Sequence, residues 1–505
     1  MLFQSKDLNL HFAIVLTSER NIMKNITFYG FLCCFVFCIG WKSAAQVKKW
    51  TIKECVDYAL ENNISVQQSI LDTQVSNIDK KDAFGNFLPT IEANGSHSWN
   101  IGLNQNITTG LLENQTTQFT SAGLTSNIVI YNGLQNQNRL RRANLSIIAS
   151  QYQLTKMRDD ISLNVANAFL QILFNKENLK VQSEQQSNNE KQMQRTQELV
   201  NAGSIPRGDL LDVKATVAAN KQAVVIAQNT LLISKLSLAQ LLQLEDFQNF
   251  DIADNYYLVR ESATMMQSPQ AIFEKAKEQR VELKIARTNL EIAERDLKIA
   301  KGAYQPSLFG YYNFNTRASY SDQVIGAVPN TAIPTSPTNN FVTVDGTNYT
   351  IFQNNFNPVL GKSNSVLEQF SDNKGHSFGV QLSIPILRGF SARNTVARSK
   401  IALERSKIAF SQQELDLERN VFTAFTDANG ALNSYESALA ALEARTEAYN
   451  YAKEKFNVGL MNAFDLNQAQ TLFVNAQSEV LRTKYDYIFR VKVVEFYFGI
   501  PITQN

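Results

Sequence analysis

The chain has 505 residues, which is enough for a large hydrophobic core or for several domains. Its basic and acidic residues nearly balance, and a net charge of +2 excludes the strongly basic footprint of a nucleic-acid-binding protein. Only ten prolines interrupt the chain, so long continuous helices are possible.

Residues 1–45 are predicted to be an N-terminal extension and a signal peptide. Lys24 precedes an apolar run over residues 26–40, and small residues at 43–45 provide a cleavage site. Residues 1–22 precede the natural start of this pattern and are interpreted as an extension or a misassigned start. An N-terminal anchor is the alternative, although the apolar run is shorter than a usual spanning helix.

Only one cysteine, Cys55, follows the signal, so the exported chain cannot form an internal disulfide or a cysteine metal site. No apolar run of spanning length is expected after residue 46. An exported chain without such a run enters a membrane only as β-strands, because backbone polar groups must all be paired within lipid.

The first half begins with a predicted helix over residues 51–87, which ends at Gly85 and a following proline. Apolar and polar residues then alternate over 91–103, which predicts an amphipathic strand. A second strand is expected around 124–130. The Asn/Thr/Gln-rich stretch 104–118 between them is predicted to be a loop.

Two long helices complete the first half. Residues 135–200 carry apolar side chains at spacings of three and four, which predicts one helix about 100 Å long. The turn at 202–206 reverses the chain. Apolar residues then recur at every seventh position from Leu210 to Leu238, which is typical of a coiled coil.

The second half repeats this order of elements. Strands are predicted around 308–314 and 378–386, a long helix over 391–458, and a coiled-coil helix from Leu466 onward. Residues that recur at one constant offset include Gly133 and Gly389, Gly203 and Gly459, and Asp209 and Asp465.

This internal duplication predicts two structural repeats, at residues 46–260 and 261–505. The second repeat contains an insertion at about 320–375, which shows no periodicity and is predicted to be a long loop. Four strands cannot close a membrane barrel, so several chains must pool their strands if the sheet faces lipid. A sheet of a soluble protein, with one face exposed to solvent, is the alternative.

The layout resembles that of the TolC-type outer-membrane efflux proteins over the whole chain after the signal. The residues that carry the resemblance are Trp50–Leu60, Phe87–Pro89, Leu382–Ile386, and Phe456–Leu460 followed by Asp465. The resemblance implies a mainly α protein with a membrane β-barrel. Long antiparallel helices would form an α-barrel tunnel, and four strands per chain would contribute to a twelve-strand barrel in a homotrimer.

The resemblance also implies a function and partners. The protein would be the outer-membrane exit duct of a tripartite efflux or type I secretion system in a Gram-negative bacterium, with its helical part in the periplasm. Its partners would be outer-membrane lipid, a periplasmic adaptor (membrane fusion) protein and an inner-membrane pump of the RND or ABC type. The adaptor-contact candidates at the tip are Gly203, Ser204, Ile205, Val458, Gly459 and Leu460.

The resemblance places an acidic ring at the tunnel entrance, for which the candidates are Asp465, Asp209 and Asp212. A capping role is the alternative explanation, with Asn462 as an N-cap and Asp465 as a first-turn acid favoured by the helix dipole, and with Ser204, Pro206 and Asp209 in the same roles in the first half. The family often has a further aspartate where Gln468 stands. Phe456 and Met461 stand where some members carry a Tyr and Arg latch, so the gating of this chain is expected to differ.

No catalytic residue, cofactor, metal site or nucleic-acid partner is expected. After the signal the chain has two histidines and one cysteine, and it lacks a phosphate-binding loop and a nucleophile elbow. An enzyme is therefore disfavoured. The remaining alternative to a duct is a soluble or peripheral coiled-coil scaffold in the periplasm.

Overall fold

The computed structural model describes residues 49–105, 110–247, 249–254 and 262–502. The predicted extension and signal, residues 1–45, lie outside the described residues. In the first half the elements are β1 (Lys49–Trp50), α1 (Ile52–Asn62), α2 (Ile64–Gly85), β2 (Thr90–Gln105), β3 (Leu112–Asn132), α3 (Gln135–Asn201), α4 (Arg207–Leu242) and β4 (Asp251–Ile252).

The second half repeats the helix–strand–helix order and adds further strands. Its elements are α5 (Pro269–Gln279), α6 (Val281–Gly302), β5 (Ser307–Ser319), β6 (Gln323–Pro329), β7 (Thr335–Val344), β8 (Thr347–Asn354), β9 (Phe356–Gly361), α7 (Val366–Asp372), β10 (Gly375–Ser383), α8 (Ser391–Asn457) and α9 (Ala463–Phe498). The two predicted long helices, α3 and α8, are confirmed, and each has 67 residues.

The chain divides into two compact units. Among the described residues, the helical unit comprises 49–67, 157–279 and 418–502, and the sheet unit comprises 68–156 and 280–417. The core of the helical unit is built from apolar side chains of its helices and of the β1–β4 pair, such as Phe169, Leu238 and Ile252, which are fully buried. Removal of such side chains from water is the main stabilising contribution to this unit.

The core of the sheet unit is a four-stranded antiparallel sheet in the order β10-β5-β3-β2. Register places the alternating side chains in rows. One face carries the rows Ile91–Ser126–Tyr312–Phe378 and Ala93–Leu124–Phe314–His376, and the opposite face carries Glu92–Thr125–Asn313–Ser377. The predicted amphipathic strands are therefore confirmed, with one largely apolar face and one polar face.

The first predicted helix is wrong in one respect, because it is broken at Asn63 into α1 and α2. Asn63 has an extended backbone, with ψ of 129°. Its side-chain Nδ2 donates to the Leu241 carbonyl, and its Oδ1 accepts from the Ser65 amide. A buried asparagine thus caps α2 and also satisfies a carbonyl of α4, and this tertiary contact overrides the local preference for a continuous helix.

Three further boundaries differ from the predictions. The stretch 104–118 is mostly strand, since β2 extends to Gln105 and β3 begins at Leu112. Strand β10 ends at Ser383, before a proline that cannot donate to the ladder. The segment 320–375 is not a structureless loop, because it contains four strands and the short helix α7.

The heptad pattern of α4 and α9 corresponds to real packing. Leu210, Val224 and Leu238 of α4 are buried, as are Leu466 and Val494 of α9. The two helices contact each other, and Asn467 donates to the Thr216 hydroxyl at 3.1 Å. Five heptads therefore predicted a helix–helix interface correctly.

Helix α4 also contradicts one expectation. It is long and apolar enough to cross a membrane by length and composition, although no such run was expected after residue 46. Its mean hydropathy is high because it carries a second apolar stripe outside the heptad positions. The side chains of this second stripe are exposed. That stripe contains Ile226, Leu232 and Ile233. A coiled-coil helix with two apolar faces is built to contact more than one neighbour.

Candidate functional site

Two helix–turn–helix ends contain the predicted tip residues. Helix α3 ends in a Schellman motif, in which the Ser204 amide donates to the Leu199 carbonyl at 2.9 Å and Gly203 adopts φ of 77°. Only glycine adopts this left-handed conformation without strain. Pro206 then precedes α4, where it fixes the start of the returning helix.

The second turn repeats this geometry. The Leu460 amide donates to the Lys455 carbonyl at 2.8 Å, and Gly459 adopts φ of 78°. Asn462 is the N-cap of α9, and its Oδ1 accepts from the Asp465 amide at 2.8 Å. The recurrence of both glycines in the sequence therefore reflects the same helix C-terminal cap in the two halves.

Both turns lie at the same end of the helical unit. Arg195, near the end of α3, donates from Nη1 to the Asn457 side chain of α8 at 3.1 Å. Asn467 and Thr216, near the starts of α9 and α4, are joined by the hydrogen bond described above. The predicted tip residues are thereby brought to one end, and we call this end the tip.

The three candidate acids are placed differently within the tip. Asp465 and Asp212 are exposed, whereas Asp209 is half-buried in the first turn of α4. None of the three carboxylates forms an ion pair or hydrogen bond with another described residue. Their charges are therefore available to solvent, to cations or to another chain. Asn462 is the N-cap of α9 and Asp465 is an acid in its first turn, as the capping alternative expects, and an entrance role for the same carboxylate is compatible with that position.

The tip also exposes apolar side chains. Val458, Leu460 and Phe464 are each more than three-fifths exposed, with Leu460 at 77%. The first turn is more polar, with exposed Gly203 and Ser204 and a half-buried Ile205. Exposed apolar side chains clustered on a turn favour contact with a partner.

A polar stripe inside the helical unit was not predicted from the sequence. Asn189 and Thr196 of α3 are buried, and Asn189 Nδ2, Gln192 Nε2, Thr196 Oγ1 and Asn220 Nδ2 have no hydrogen-bond partner among the described residues. Their spacing of three and four residues along α3 was the available signal. An unsatisfied buried polar atom costs about 1–3 kcal/mol, so these atoms lower the stability of the helical unit.

A second missed cluster lies around β1 and β4. Lys176 Nζ contacts Asp251 Oδ1 at 2.8 Å and Asp254 Oδ1 at 2.7 Å, and Lys235 Nζ contacts Asp251 Oδ1 at 2.9 Å. Lys49 contacts the second oxygen of Asp254. The cluster links the strand pair to α3 and α4. No local sequence pattern predicts it, because its members are distant in the chain.

The electrostatics of this cluster make its contribution to stability depend on pH. Partial burial disfavours the charged form of Asp251, but hydrogen bonds from Lys176 and Lys235 outweigh it, so its pKa lies below the usual range. The hydrogen bond from Lys176 likewise lowers the pKa of Asp254. Carboxyls with lowered pKa values stabilise the fold above their unfolded pKa of about 4, and that contribution disappears as pH falls through the lowered folded values.

We expect Lys176→Met to destabilise the helical unit at neutral pH by about 1–2 kcal/mol, because it leaves Asp251 and Asp254 short of a cation. The loss of stability between pH 6 and pH 3 should be smaller in the variant than in the wild type. Thermal unfolding followed by circular dichroism measures both effects. The matched control is Lys180→Met, at an exposed lysine one turn along α3; equal pH profiles for wild type and Lys176→Met would contradict the assignment.

One surface cleft of about 290 Å³ lies between α8 and α9. It is lined by Asn420, Thr423, Ala424, Asp427, Phe489, Arg490, Val493 and Tyr497. Arg490 pairs with Asp427 at 2.5 Å and with Asp486 at 3.0 Å, so its charge is already compensated. Within the described part of the chain, no group of three or more His, Cys, Asp or Glu side chains could hold a metal ion.

A family model described as outer membrane efflux protein matches residues 55–243 and 272–491. The outer membrane protein TolC of Vibrio cholerae serotype O1 is 24% identical over 351 residues, which cover 68% of each chain. The chain is also similar to the solved structure of the outer membrane protein VceC from Vibrio cholerae, with a TM-score of 0.68 and 12% identity over 89% of this chain and 96% of that one. The Campylobacter jejuni CmeC outer membrane channel has a TM-score of 0.70 and 16% identity over 90% of this chain and 87% of that one.

Proposed function

Because the chain belongs to the outer membrane efflux protein family, we propose that it passively conducts solutes delivered by an inner-membrane pump across the periplasm and the outer membrane. Its location in the outer membrane and its role as an efflux duct follow from the family and from the resemblance to TolC. Beyond the family, we propose a homotrimeric assembly, a periplasmic adaptor and an inner-membrane pump as partners, and specific residues at the entrance of the duct.

The observation that carries the proposal is the four-stranded sheet. Its side chains are exposed on both faces of β2, and Trp99, Ile101 and Leu103 lie on one face of that strand. Strands β2 and β10 are the two edges, and neither has a second partner strand among the described residues. An open edge cannot remain in lipid, because unpaired amides and carbonyls are too costly there.

Three copies satisfy this requirement. Pairing of β2 in one copy with β10 in the next closes a homotrimeric barrel of twelve strands, with the apolar face toward lipid and the polar face toward the lumen. The exposed stripe of α4, which includes Ile226 and Ile233, supplies a second surface that neighbouring copies cover. The two repeats, 46–260 and 261–505, give each copy two pairs of strands and two long helices.

The tip is the proposed docking site for a periplasmic adaptor protein and, through it, for an inner-membrane pump of the RND or ABC type. Val458 and Leu460 offer exposed apolar contacts beside Gly459, and the turn at Gly203–Ile205 offers a more polar surface. A duct of this kind performs no chemistry, so the proposal assigns no catalytic residue, cofactor or structural metal.

Cell fractionation tests the proposal against the periplasmic scaffold. A trimeric duct is recovered from the outer membrane and released only by detergent. A soluble scaffold is recovered in the periplasmic fraction without detergent, and that outcome would contradict the proposed function.

The unpaired carboxylate of Asp465 is proposed to lie at the tunnel entrance, where three copies would attract cations. We expect Asp465→Ala to raise the concentration of a trivalent cation needed for half-block of the single-channel current by about tenfold, since the loss of three charges weakens binding. Asp82→Ala, which removes an exposed acid from α2 in the sheet unit, is the control. Unchanged block in Asp465→Ala would remove this residue from the entrance.

A further inference from the structure

Residues 323–361 form a two-stranded β-arm. Strand β6 pairs with β9 from Gln323 opposite Gly361 to Pro329 opposite Phe356, and β7 pairs with β8 up to Val344 opposite Thr347. Asp345 and Gly346 form the turn at the far end of the arm, with φ of 50° and 80°, which suits a tight hairpin. At about 3.3 Å per residue, the path from the first residue to the turn is about 70 Å long.

Helix α7, which follows the arm, is held against the sheet. Gln369 of α7 is buried, and its side chain accepts from the Ser319 amide and donates to the Ser319 carbonyl, both at 2.9 Å. It thereby replaces a partner strand at the end of β5. Thr316 also donates to the Phe370 carbonyl at 2.8 Å. The arm therefore emerges between β5 and α7, at the end of β5 opposite to α6, which precedes that strand.

The arm exposes an unusual surface. Its exposed large apolar side chains are Val324, Ile325, Val328, Ile333, Phe341, Val342, Val344, Tyr349, Ile351, Phe352, Phe356 and Leu360. Asp345, in the turn of the arm, is the only charged residue from 323 to 361. The outer edges of both strands have no partner strand among the described residues. A lone two-stranded ribbon is marginal in water, and natural proteins protect such edges with charges, prolines or bulges. Prolines lie in β6, β7 and β9, but the strands have no charged side chain.

We propose that this arm is an interaction surface for the same arm of neighbouring copies, with which it pairs edge to edge to form a collar beyond the barrel. The inference rests on the proposed homotrimer. Pairing provides a partner for each unpaired outer edge, and it covers the apolar side chains that a single chain leaves exposed.

The dimensions allow this pairing. Twelve strands spaced about 4.8 Å apart and tilted by about 40° give a barrel about 24 Å across. Three arms that continue equivalent strands would then start about 21 Å from one another. Each arm is about three times as long as that separation, so it reaches its neighbours. The arm bends at 330–334, where Asn330 Oδ1 accepts from the Ala332 and Ile333 amides at 3.0 and 2.9 Å.

The lack of basic residues in the arm favours another copy of the arm over a lipid surface as its partner. Attraction to anionic headgroups or phosphates depends on lysine and arginine, and the arm has neither between residues 323 and 361. A near-neutral arm also brings little repulsion when three copies meet. The β-branched and aromatic residues of the arm favour strand pairing, most of all in β8, which has no proline.

Hydrogen exchange of the purified full-length protein tests the inference. In a lone hairpin, only the inward-facing amides of each strand are bonded, so alternate amides exchange as in an unstructured peptide. In the collar, the outward-facing amides of β6, β7, β8 and β9 are bonded as well. We expect both sets to exchange at least about 100-fold more slowly than an unstructured peptide.

A matched pair of variants tests the surface itself. Val342 of β7 is exposed, and Val342→Lys places one positive charge on each arm, so that like charges meet where the arms of neighbouring copies pair. The lysine variant is expected to accelerate exchange of the outward-facing amides of β7 and β8 by at least about tenfold while their inward-facing amides stay protected, whereas the Val342→Thr control keeps both sets protected.

The mass of the assembly separates failure of the inference from failure of the proposed function. A wild-type trimer whose outward-facing amides exchange freely overturns the collar and leaves the duct intact. A wild-type monomer overturns both. Protection that develops only when lipopolysaccharide vesicles are added identifies lipid as the partner and also overturns the collar.

Discussion

Replacing Gly133 by alanine is expected to reduce the amount of folded protein in the outer membrane by more than about tenfold. Gly133 adopts φ of 68°, and an added Cβ would lie 2.3 Å from the Gly302 carbonyl oxygen. The strained backbone and the clash with a neighbouring backbone together cost about 3 kcal/mol or more, which is a large part of the stability of a domain. The contact joins the end of β3 to the end of α6 within the sheet unit.

Gly85→Ala is the matched control for this prediction. Gly85 ends α2, and an added Cβ there meets nothing within 4 Å. Alanine should be neutral or slightly stabilising at this position, because it restricts the unfolded chain. Immunoblots of outer membranes, with protease resistance as the measure of folding, report both variants. Equal yields of Gly133→Ala and Gly85→Ala would show that the close approach to Gly302 is not required.

The second large effect is expected from the polar stripe of α3. Asn189→Leu combined with Thr196→Val replaces two buried polar groups, whose Nδ2 and Oγ1 atoms have no partner among the described residues, by apolar groups of similar shape. The double variant should gain about 2–4 kcal/mol of stability, and its thermal midpoint should rise by several degrees. Helices that are packed more firmly near the tip should also open less often, so the mean single-channel current should fall.

Thr483→Val provides the control for this gain. Thr483 of α9 is 3% exposed, like Thr196 at 0%, but its hydroxyl donates to the Glu479 carbonyl at 2.9 Å. Removal of a satisfied hydroxyl should bring no gain in stability. A double variant that is no more stable than wild type, or one that conducts as well as wild type, would contradict the role assigned to the stripe.

Periodicity predicted the long elements correctly. The helices α3 and α8 and the amphipathic strands follow from apolar spacing that persists over many residues, and the heptads of α4 correspond to buried positions such as Leu210 and Leu238. The recurrent Gly203 and Gly459 were informative because a left-handed helix cap strongly favours glycine.

The misses share a physical cause, which is the dependence of structure on distant contacts. Residues 112–118 and 323–361 are rich in Asn and Thr and read locally as loop, but pairing with another strand makes them β. The break at Asn63 depends on a hydrogen bond to Leu241. The ion cluster around Lys176 likewise assembles side chains from four separate segments, and sequence spacing carries no signal of it.

At the tip, the sequence located the candidate residues, and the structure describes their surroundings. Asp465 and Asp212 are exposed, and Asp209 is half-buried. Asn462 provides the side-chain cap of α9 and Asp465 lies in its first turn, as the capping alternative expects. An entrance role for these acids depends on other copies of the chain, and the single-channel experiment on Asp465 measures that role directly.

The central claim is that one chain carries too little sheet to close a barrel and that copies complete it. Native mass spectrometry of the detergent-solubilised full chain tests this claim most directly, because it counts the chains in each assembly. We predict a mass of three chains, with exchange-protected amides along the outer edges of both β2 and β10. A monomer whose β2 and β10 edges are nevertheless protected in lipid would contradict the account.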